Sequence, residues 1–355
     1  MHQSRRLLLA ITALALMALA LPAIADAAKR KKPTKLTVMS RNLYLGADLI
    51  PIAVAQNQND LEQAVTNAWN NVVATDFPAR AKRIAKEVQR QKPDVIAIQE
   101  GARWRRGPKD PNSPATEVVY DYLPTLQREL QRLGLKYRLG HVQSELDIEG
   151  PSSGSFDYRL TQQDAILIKR KKGLKVRKLS SGRFKARFDI PTLIGTVKVF
   201  RGWSAADLTL NKKKVRVVDT HLEAYSEEIG TAQVKELIAK GGPARKKGAV
   251  IVAGDLNSDP GGTGNGPGPY NAITGFGFLD SWKRAHPGDS GFTYGLGEDL
   301  RQPASTLDRR IDYVLARGIK KVLGSKRFGY KPSERTPSGL APSDHAGLAS
   351  TFQLK

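Results

Sequence analysis

The sequence contains no cysteine. That excludes a disulfide framework and a lipid-modified N-terminal cysteine, and it leaves any metal site without thiolates. Stability must then come from a packed core. The one long apolar run, Leu7 to Leu21, is 15 residues, short of the roughly 20 that span a bilayer. Acidic residues are in the minority, 34 against 57 lysines and arginines. There is no internal repeat and no stretch that reads as an interdomain linker. The Gly-rich segment at 259–270 lacks the Lys-Ser/Thr ending of a phosphate-binding loop, so it reads as a surface loop and not a nucleotide site.

What is present begins with an address. Arg5 and Arg6 precede the apolar run, and small residues around Ala23, Ala25 and Ala27 follow it. This is the layout of a secretory signal peptide, expected to span 1–25 and to be cleaved. A basic, disordered leader at 26–35 and a single domain over 36–355 follow. The expectation is a secreted monomer, extracellular or periplasmic. Without Arg5 and Arg6 the balance is 55 basic to 34 acidic side chains, or +21. A field of that sign attracts polyanions such as nucleic acid, anionic head groups or acidic cell-wall polymers. Clusters at 169–173, 211–214 and 244–248 sit where turns are expected, and lysines there also protect sheet edges.

One pattern recurs along the chain: a short apolar strand with a polar residue at its end. "KLTVMSRN" ends at Asn42, "DVIAIQE" at Glu100, "VRVVDTH" at His221 and "VIVAGDLN" at Asp255 and Asn257. "RIDYVLA" carries Asp312 near its start, and "SDH" at 343–345 precedes a last apolar stretch. Asp255 and Asn257 are two apart, which on a strand is one face. Helical spacing places Ala81, Ile84, Ala85 and Val88 on one stripe, and Leu126, Leu130 and Leu133 on another. "TAQVKELIAKGG" reads as a helix stopping near Gly241. The segment at 45–78 is polar and partly helical. "VFRGWSAADLTL" and "VRVVDTHL", joined by lysines, form an antiparallel hairpin.

A sheet gathering these strand ends at one rim places carboxylates, amides and imidazoles in one cleft. Carboxylate oxygens suit a hard cation. Attack of water on a phosphate ester needs a base and donors to the developing charge, and that residue set supplies both.

The motifs "SRN" (40–42), "PDVIAIQE" (93–100), "DTHLEA" (219–224), "VAGDLNSDP" (252–260), "RIDYVLA" (310–316) and "SDHAGL" (343–348) occur in the order of the endonuclease/exonuclease/phosphatase superfamily, which the chain resembles over nearly its whole length. The resemblance implies a deoxyribonuclease-like α/β fold, a four-layer α/β-β/α sandwich of two packed mixed sheets flanked by helices. It implies a metal-dependent phosphodiesterase using Mg²⁺ or Mn²⁺. Glu100 would ligate the metal with Asn42 beside it, and Asp344 would bind or orient it. Asp255 would handle the water or the leaving group, and Asn257 would hold the phosphate. His345 would act at the scissile phosphate, oriented by Asp312. His221 would donate to a phosphate oxygen, with Asp164 orienting it. Tyr44 stands where some nucleases carry a further metal ligand, which favours one metal; Asp48 is the alternative oxygen nearby. His141 and His286 read as structural histidines, and Trp203 and Tyr294 as core residues or stacking platforms. The charge favours a nuclease acting on DNA or RNA. The alternatives are a sphingomyelinase-like phospholipase C acting at membrane lipid, which calls for an apolar hairpin tip where the foreseen hairpin has lysines, and an inactive polyanion-binding protein.

Overall fold

The first strand, β1 (Lys35–Asn42), sends Leu36 and Val38 to one side and Met39 to the other, and the two sides find different partners. The computed structural model describes residues 32–264 and 266–355. The expected signal peptide and most of the leader lie outside them. Residues 32–34 carry no regular structure, and β1 already begins at Lys35, a residue expected in the leader.

Two large sheets form. The first runs β15 (Lys321–Phe328), β16 (Gly347–Gln353), β1, β2 (Val95–Gln99), β6 (Phe156–Lys169), β3 (Arg103–Pro108), β4 (Glu117–Asp121), with β5 (Tyr137–Pro151) also paired to β6. The second runs β13 (Leu279–Asp280), β14 (Asp312–Arg317), β12 (Ala249–Asp255), β11 (Lys213–His221), β10 (Gly202–Leu210), β7 (Leu174–Arg183). Within each, one pair is parallel, β1 with β2 and β11 with β12. A separate two-stranded hairpin, β8 (Phe188–Thr192) and β9 (Gly195–Val199), belongs to neither.

Period-two alternation assigns the layers. Leu36, Val38, Val95 and Ala97 of the first sheet meet Val217, Ile251, Ala253 and Val314 of the second. On the outer face of the first sheet, Met39, Ile96 and Ile98 pack under α2 (Gln58–Ala74), α3 (Phe77–Gln91) and α4 (Tyr122–Arg132). On the outer face of the second, Val218, Val250, Val252 and Leu315 pack under α5 (Glu227–Ile238) and α6 (Gly268–Gly275). The result is the four-layer α/β-β/α sandwich. Each buried Leu, Ile or Val contributes about 1.5–3 kcal/mol, which is how a chain without disulfides holds together. Short helices α1 (Ile50–Ala53) and α7 (Ser281–Ala285) complete the element list. No helix among the described residues is long and apolar enough to cross a membrane.

The helices follow the spacing. In α3, Ala81, Ile84, Ala85 and Val88 are buried; the side chain of Asp76 accepts from Ala79 N at its start, and Lys92 ends it in a left-handed conformation. Helix α4 begins two residues before Pro124 and buries Leu126 and Leu130, with Leu133 at its C-cap. Helix α5 begins earlier than the pattern suggests because Ser226 caps it through Ile229 N. The lysine-tipped hairpin is β10–β11.

Candidate active site

Strand register builds the site. His221 at the end of β11 pairs with Asp255 at the end of β12, and Asp255 pairs with Asp312 at the start of β14. Three functional side chains therefore stand in one row across three neighbouring strands. A glycine makes the row tight: a Cβ on Gly254 would lie 1.8 Å from the carbonyl oxygen of Thr220. The first sheet contributes Asn42 at the end of β1 and Glu100 just past β2. An amide sews the two sheets together: Asn42 Nδ2 donates to Glu100 Oε1 at 2.9 Å and to Asp255 Oδ2 at 3.1 Å. Glu100 Oε2 accepts from Leu45 N at 2.8 Å, and its own backbone is held at φ 58°.

His345 arrives on the loop before β16. Its Nδ1 lies 2.8 Å from Asp312 Oδ2, and its Nε2 lies 3.8 Å from Asp255 Oδ2 and 3.9 Å from Asp344 Oδ1. Two buried arginines fix this loop. Arg41, paired with Glu87, donates to His345 O at 2.6 Å. Arg80 donates to Leu43 O and Pro342 O. Burial pulls the His345 imidazole down, but Asp312, Asp344 and Asp255 outweigh it and raise the ring to about 10. At neutral pH it is an imidazolium. Asp255 is raised to about 6 by burial and then by Asp312. Asp344 is also raised to about 6, by burial and by Glu100, against the lowering pull of His345.

His221 is held differently from expectation. Asp164 Oδ1 is 3.7 Å from its Nδ1, beyond a hydrogen bond, and accepts instead from Glu100 N at 3.1 Å. The near partner of Nδ1 is Arg201 Nη1 at 3.0 Å, with Gln162 Nε2 farther off at 3.5 Å. A guanidinium only donates, so Nδ1 must be the bare nitrogen and the ring proton sits on Nε2, which faces Asp255 at 3.7 Å. Burial and then the Arg201 charge lower the ring to about 4, so it is neutral. Asp164 is raised to about 7 by burial, against the pull of Arg201.

Asn257 corrects the shared-face reading. Strand β12 ends at Asp255, and Asn257 turns back at φ 46°, its N donating to Asp255 Oδ1 and its Nδ2 to Leu222 O. Both residues still line the cleft, by a turn and not by strand alternation. Asn42 presents its amide nitrogen to the carboxylates, while its oxygen accepts from Tyr44 N; in this arrangement it orders Glu100. The Tyr44 hydroxyl is directed to Glu298 O, and Asp48 Oδ1 is committed to Ile50 N. Asp312 pairs with His345, and Arg310 takes Asp280 instead. His286 is satisfied by Ser325 O, His141 is half-buried on β5, and Trp203 packs beside the outer core of the second sheet. Tyr294 lines the cleft, edge-on to His345 at 4.9 Å and under Arg309 at 4.5 Å.

The donor chemistry fits a hard divalent cation. Glu100 and Asp255 place carboxylate oxygens within 4.8 Å of each other, as do Asp255 and Asp312; His221 and His345 complete the same two groups but carry protons on the nitrogens that face Asp255. Asp344 stands outside both groups, but burial and the Glu100 charge raise the cost of charging it, a cost that a cation held by these carboxylates would relieve. The cleft holding these groups has a volume of about 650 Å³.

Comparison with known proteins agrees with this architecture. The sequence model of the Endonuclease/Exonuclease/phosphatase family matches residues 64–345. No curated protein matches the sequence significantly. Among solved structures, the endonuclease/exonuclease/phosphatase from Bacteroides vulgatus is 18% identical, with 91% of this chain and 100% of that one covered and a TM-score of 0.56. Truncated Caenorhabditis elegans TDP2 is 21% identical (90% and 97% covered, TM-score 0.51). TDP2 from D. rerio, solved with a single-strand DNA product, is 17% identical (90% and 98% covered, TM-score 0.52). At these identities the likeness is one of fold. The matched span takes in Glu100, His221, Asp255, Asp312 and His345, and on it the chain belongs to the endonuclease/exonuclease/phosphatase family.

Proposed function

We propose that the protein is a divalent-metal-dependent phosphodiesterase working with Mg²⁺ or Mn²⁺. The observation that carries this reading is the buried Asp312–His345 pair facing Asp255, itself linked through Asn42 to Glu100. Glu100 and Asp344 would hold the cation, with Asn42 ordering Glu100. What the cation supplies is neutralisation of phosphate charge. Asp255 accepts the proton of the attacking water as its oxygen bonds to phosphorus. The ester P–O bond breaks, and the leaving oxygen takes the proton of the His345 imidazolium. The Nε2–H of His221 and the second amide N–H of Asn257 donate to the phosphate oxygens. Full activity on bis-p-nitrophenyl phosphate after exhaustive EDTA dialysis would overturn the metal requirement; loss restored by Mg²⁺ or Mn²⁺ is expected. The secreted location is part of the same proposal, and N-terminal sequencing of protein from culture medium tests it.

For the substrate, a nucleic acid is supported by the net charge and by the DNA-product complex of the D. rerio relative. If it is correct, cleavage of long DNA falls steeply with salt, with a slope of about −0.9 per phosphate neutralised, while the small diester changes little. A second reading, an amphiphilic phosphodiester of the phospholipid kind, is favoured by the β8–β9 hairpin. Its tip is Leu193-Ile194, not lysine, with Leu193 50% exposed.

A further inference from the structure

One group of the charges that make the chain basic lies away from the chemistry. Lys175, Arg177, Lys212, Lys214, Lys246 and Lys247 surround the far ends of β7, β11 and β12. Strand β11 runs from Lys213 to His221, about 26 Å at strand rise. In the active-site cleft the cations are Arg201, Arg309 and the His345 imidazolium. They face five acids: Asp48, Glu100, Asp255, Glu298 and Asp344. A nucleic acid strand brings a phosphate on each side of the scissile one, and grooves that track such strands are basic and floored by aromatic rings. Beyond the three carboxylates at the reacting phosphate, this cleft sets Asp48 and Glu298 beside Arg309 and offers a second phosphate little net positive charge.

Its remaining wall is aliphatic. In the β8–β9 hairpin, Phe188 pairs with Val199 and Ile190 with Val197, so these four share a face. That face lines the cleft, and the polar residues Asp189, Thr196 and Lys198 occupy the other. Across from it stands α1, where Ile50 is 47% exposed, and the floor carries Leu146 and Ile148 of β5. The hairpin does not float free. Its base is tied to α5 by Lys185 N and Ala186 N donating to Glu236, and to β5 by Phe200 N donating to Glu145 O. Around the cleft, among the described residues, twelve Leu, Ile and Val side chains stand against four aromatic ones.

We propose that this trough is a hydrocarbon subsite: the phosphodiester that reaches Glu100, His221 and His345 carries an alkyl or acyl chain, which lies between the β8–β9 hairpin and α1. The claim rests on the phosphodiesterase reading above and names its substrate class, a phospholipid-like amphiphile. Ile50, Val54 and Ile194 leave apolar surface open in the same cleft as the phosphate-handling groups. A chain covering it gains affinity with each methylene, and a polyanionic strand gains nothing there.

The test is a series of 4-nitrophenyl alkyl phosphates, methyl to decyl, assayed below micelle-forming concentration with Mn²⁺. Leaving group and phosphodiester are constant; only the chain changes. The expected result is a rise in kcat/KM of roughly three- to fourfold per methylene until the trough is filled. In Ile190→Asp, and in Val197→Asp should the first not fold, the ratio of decyl to methyl turnover falls at least tenfold. Equal turnover along the series, or faster cleavage of single-stranded DNA than of the decyl ester, overturns the hydrocarbon subsite and leaves the phosphodiesterase reading standing. A calorimetric titration with decyl and methyl phosphate separates the two claims. If no diester is cleaved, the phosphodiesterase reading fails, while decyl phosphate binding at least tenfold tighter than methyl phosphate, and lost in Ile190→Asp, upholds the subsite. Equal binding of the two overturns it.

Discussion

Replacing Asp312 by asparagine removes one charge and keeps the shape. The carboxylate is buried, 2.8 Å from His345 Nδ1, and is the largest of the influences that raise that ring to about 10. Two effects follow. Holding the imidazole protonated at pH 7 against a value of about 10 is worth roughly 4 kcal/mol at 1.36 kcal/mol per unit. Asp312 is the first of the groups that raise it, so the variant should lose about 2–4 kcal/mol of stability, overlapping the roughly 3–5 kcal/mol of a broken buried pair. The second effect is on turnover. An asparagine can offer Nδ1 an N–H instead of an acceptor, which displaces the Nδ1 proton and leaves a neutral ring in place of the imidazolium; in the serine-protease triad the same substitution lowers kcat by about 10⁴. Here Asp312→Asn should lower kcat by about 10³ or more on bis-p-nitrophenyl phosphate, with KM nearly unchanged. Steady-state kinetics and thermal melts on the same preparation measure both. Turnover within tenfold of wild type would show that Asp312 is only a structural partner of His345. Asp164→Asn should cost less, since Asp164 meets the Glu100 backbone and not a ring nitrogen; a loss equal to that of Asp312→Asn would refute the ordering.

Three further outcomes are expected. Arg201→Gln should displace the His221 tautomer, read as a change in its ¹⁵N imidazole shifts, and lower kcat; unchanged shifts would remove Arg201 from this role. Gly254→Ala should destabilise by about 4 kcal/mol or more, lowering Tm by roughly 6 °C or more, because the added Cβ collides with Thr220 O; a shift under about 2 °C would mean the strands have slack. In EDTA, the His345 ring is raised from 6.5 to about 10, so its contribution is complete below pH 6.5 and is lost as pH rises towards 10. Melting temperature should fall across that window and the fall should shrink in Asp312→Asn; a flat profile in wild type contradicts the protonated pair.

Much of the site is legible in the sequence because parallel and central strands write buried residues as apolar runs, so a polar residue closing the run stands out: Asn42, Glu100, His221 and Asp255 all follow this rule. Arg201 escapes it for a geometric reason. On an antiparallel strand the active end is the beginning, and Arg201 precedes β10, whose Gly202 pairs with His221; counting back from the lysine turn finds it. The β8–β9 hairpin escapes because Pro191 argues against a strand, an objection that does not hold for a two-stranded ribbon with free edges. Strand periodicity misplaces Asn257 when it is carried past the strand's last residue. The lysine clusters do fall in turns, but their distance from the chemistry is a property of sheet layout that composition does not carry.

The row His221–Asp255–Asp312 has a consequence for redesign. Its members are spaced by hydrogen-bonded strands, a pitch of about 4.8 Å that side-chain substitution cannot alter. Widening the reach of this catalyst, or re-aiming it at a bulkier ester, is therefore closed to changes within the sheet. It is open through the parts that arrive on loops, Glu100, Asn257, Asp344 and His345, and through the two-stranded ribbon that walls the cleft. Chimeras exchanging residues 188–199 between family members should trade substrate preference while the spacing of the reacting groups stays the same.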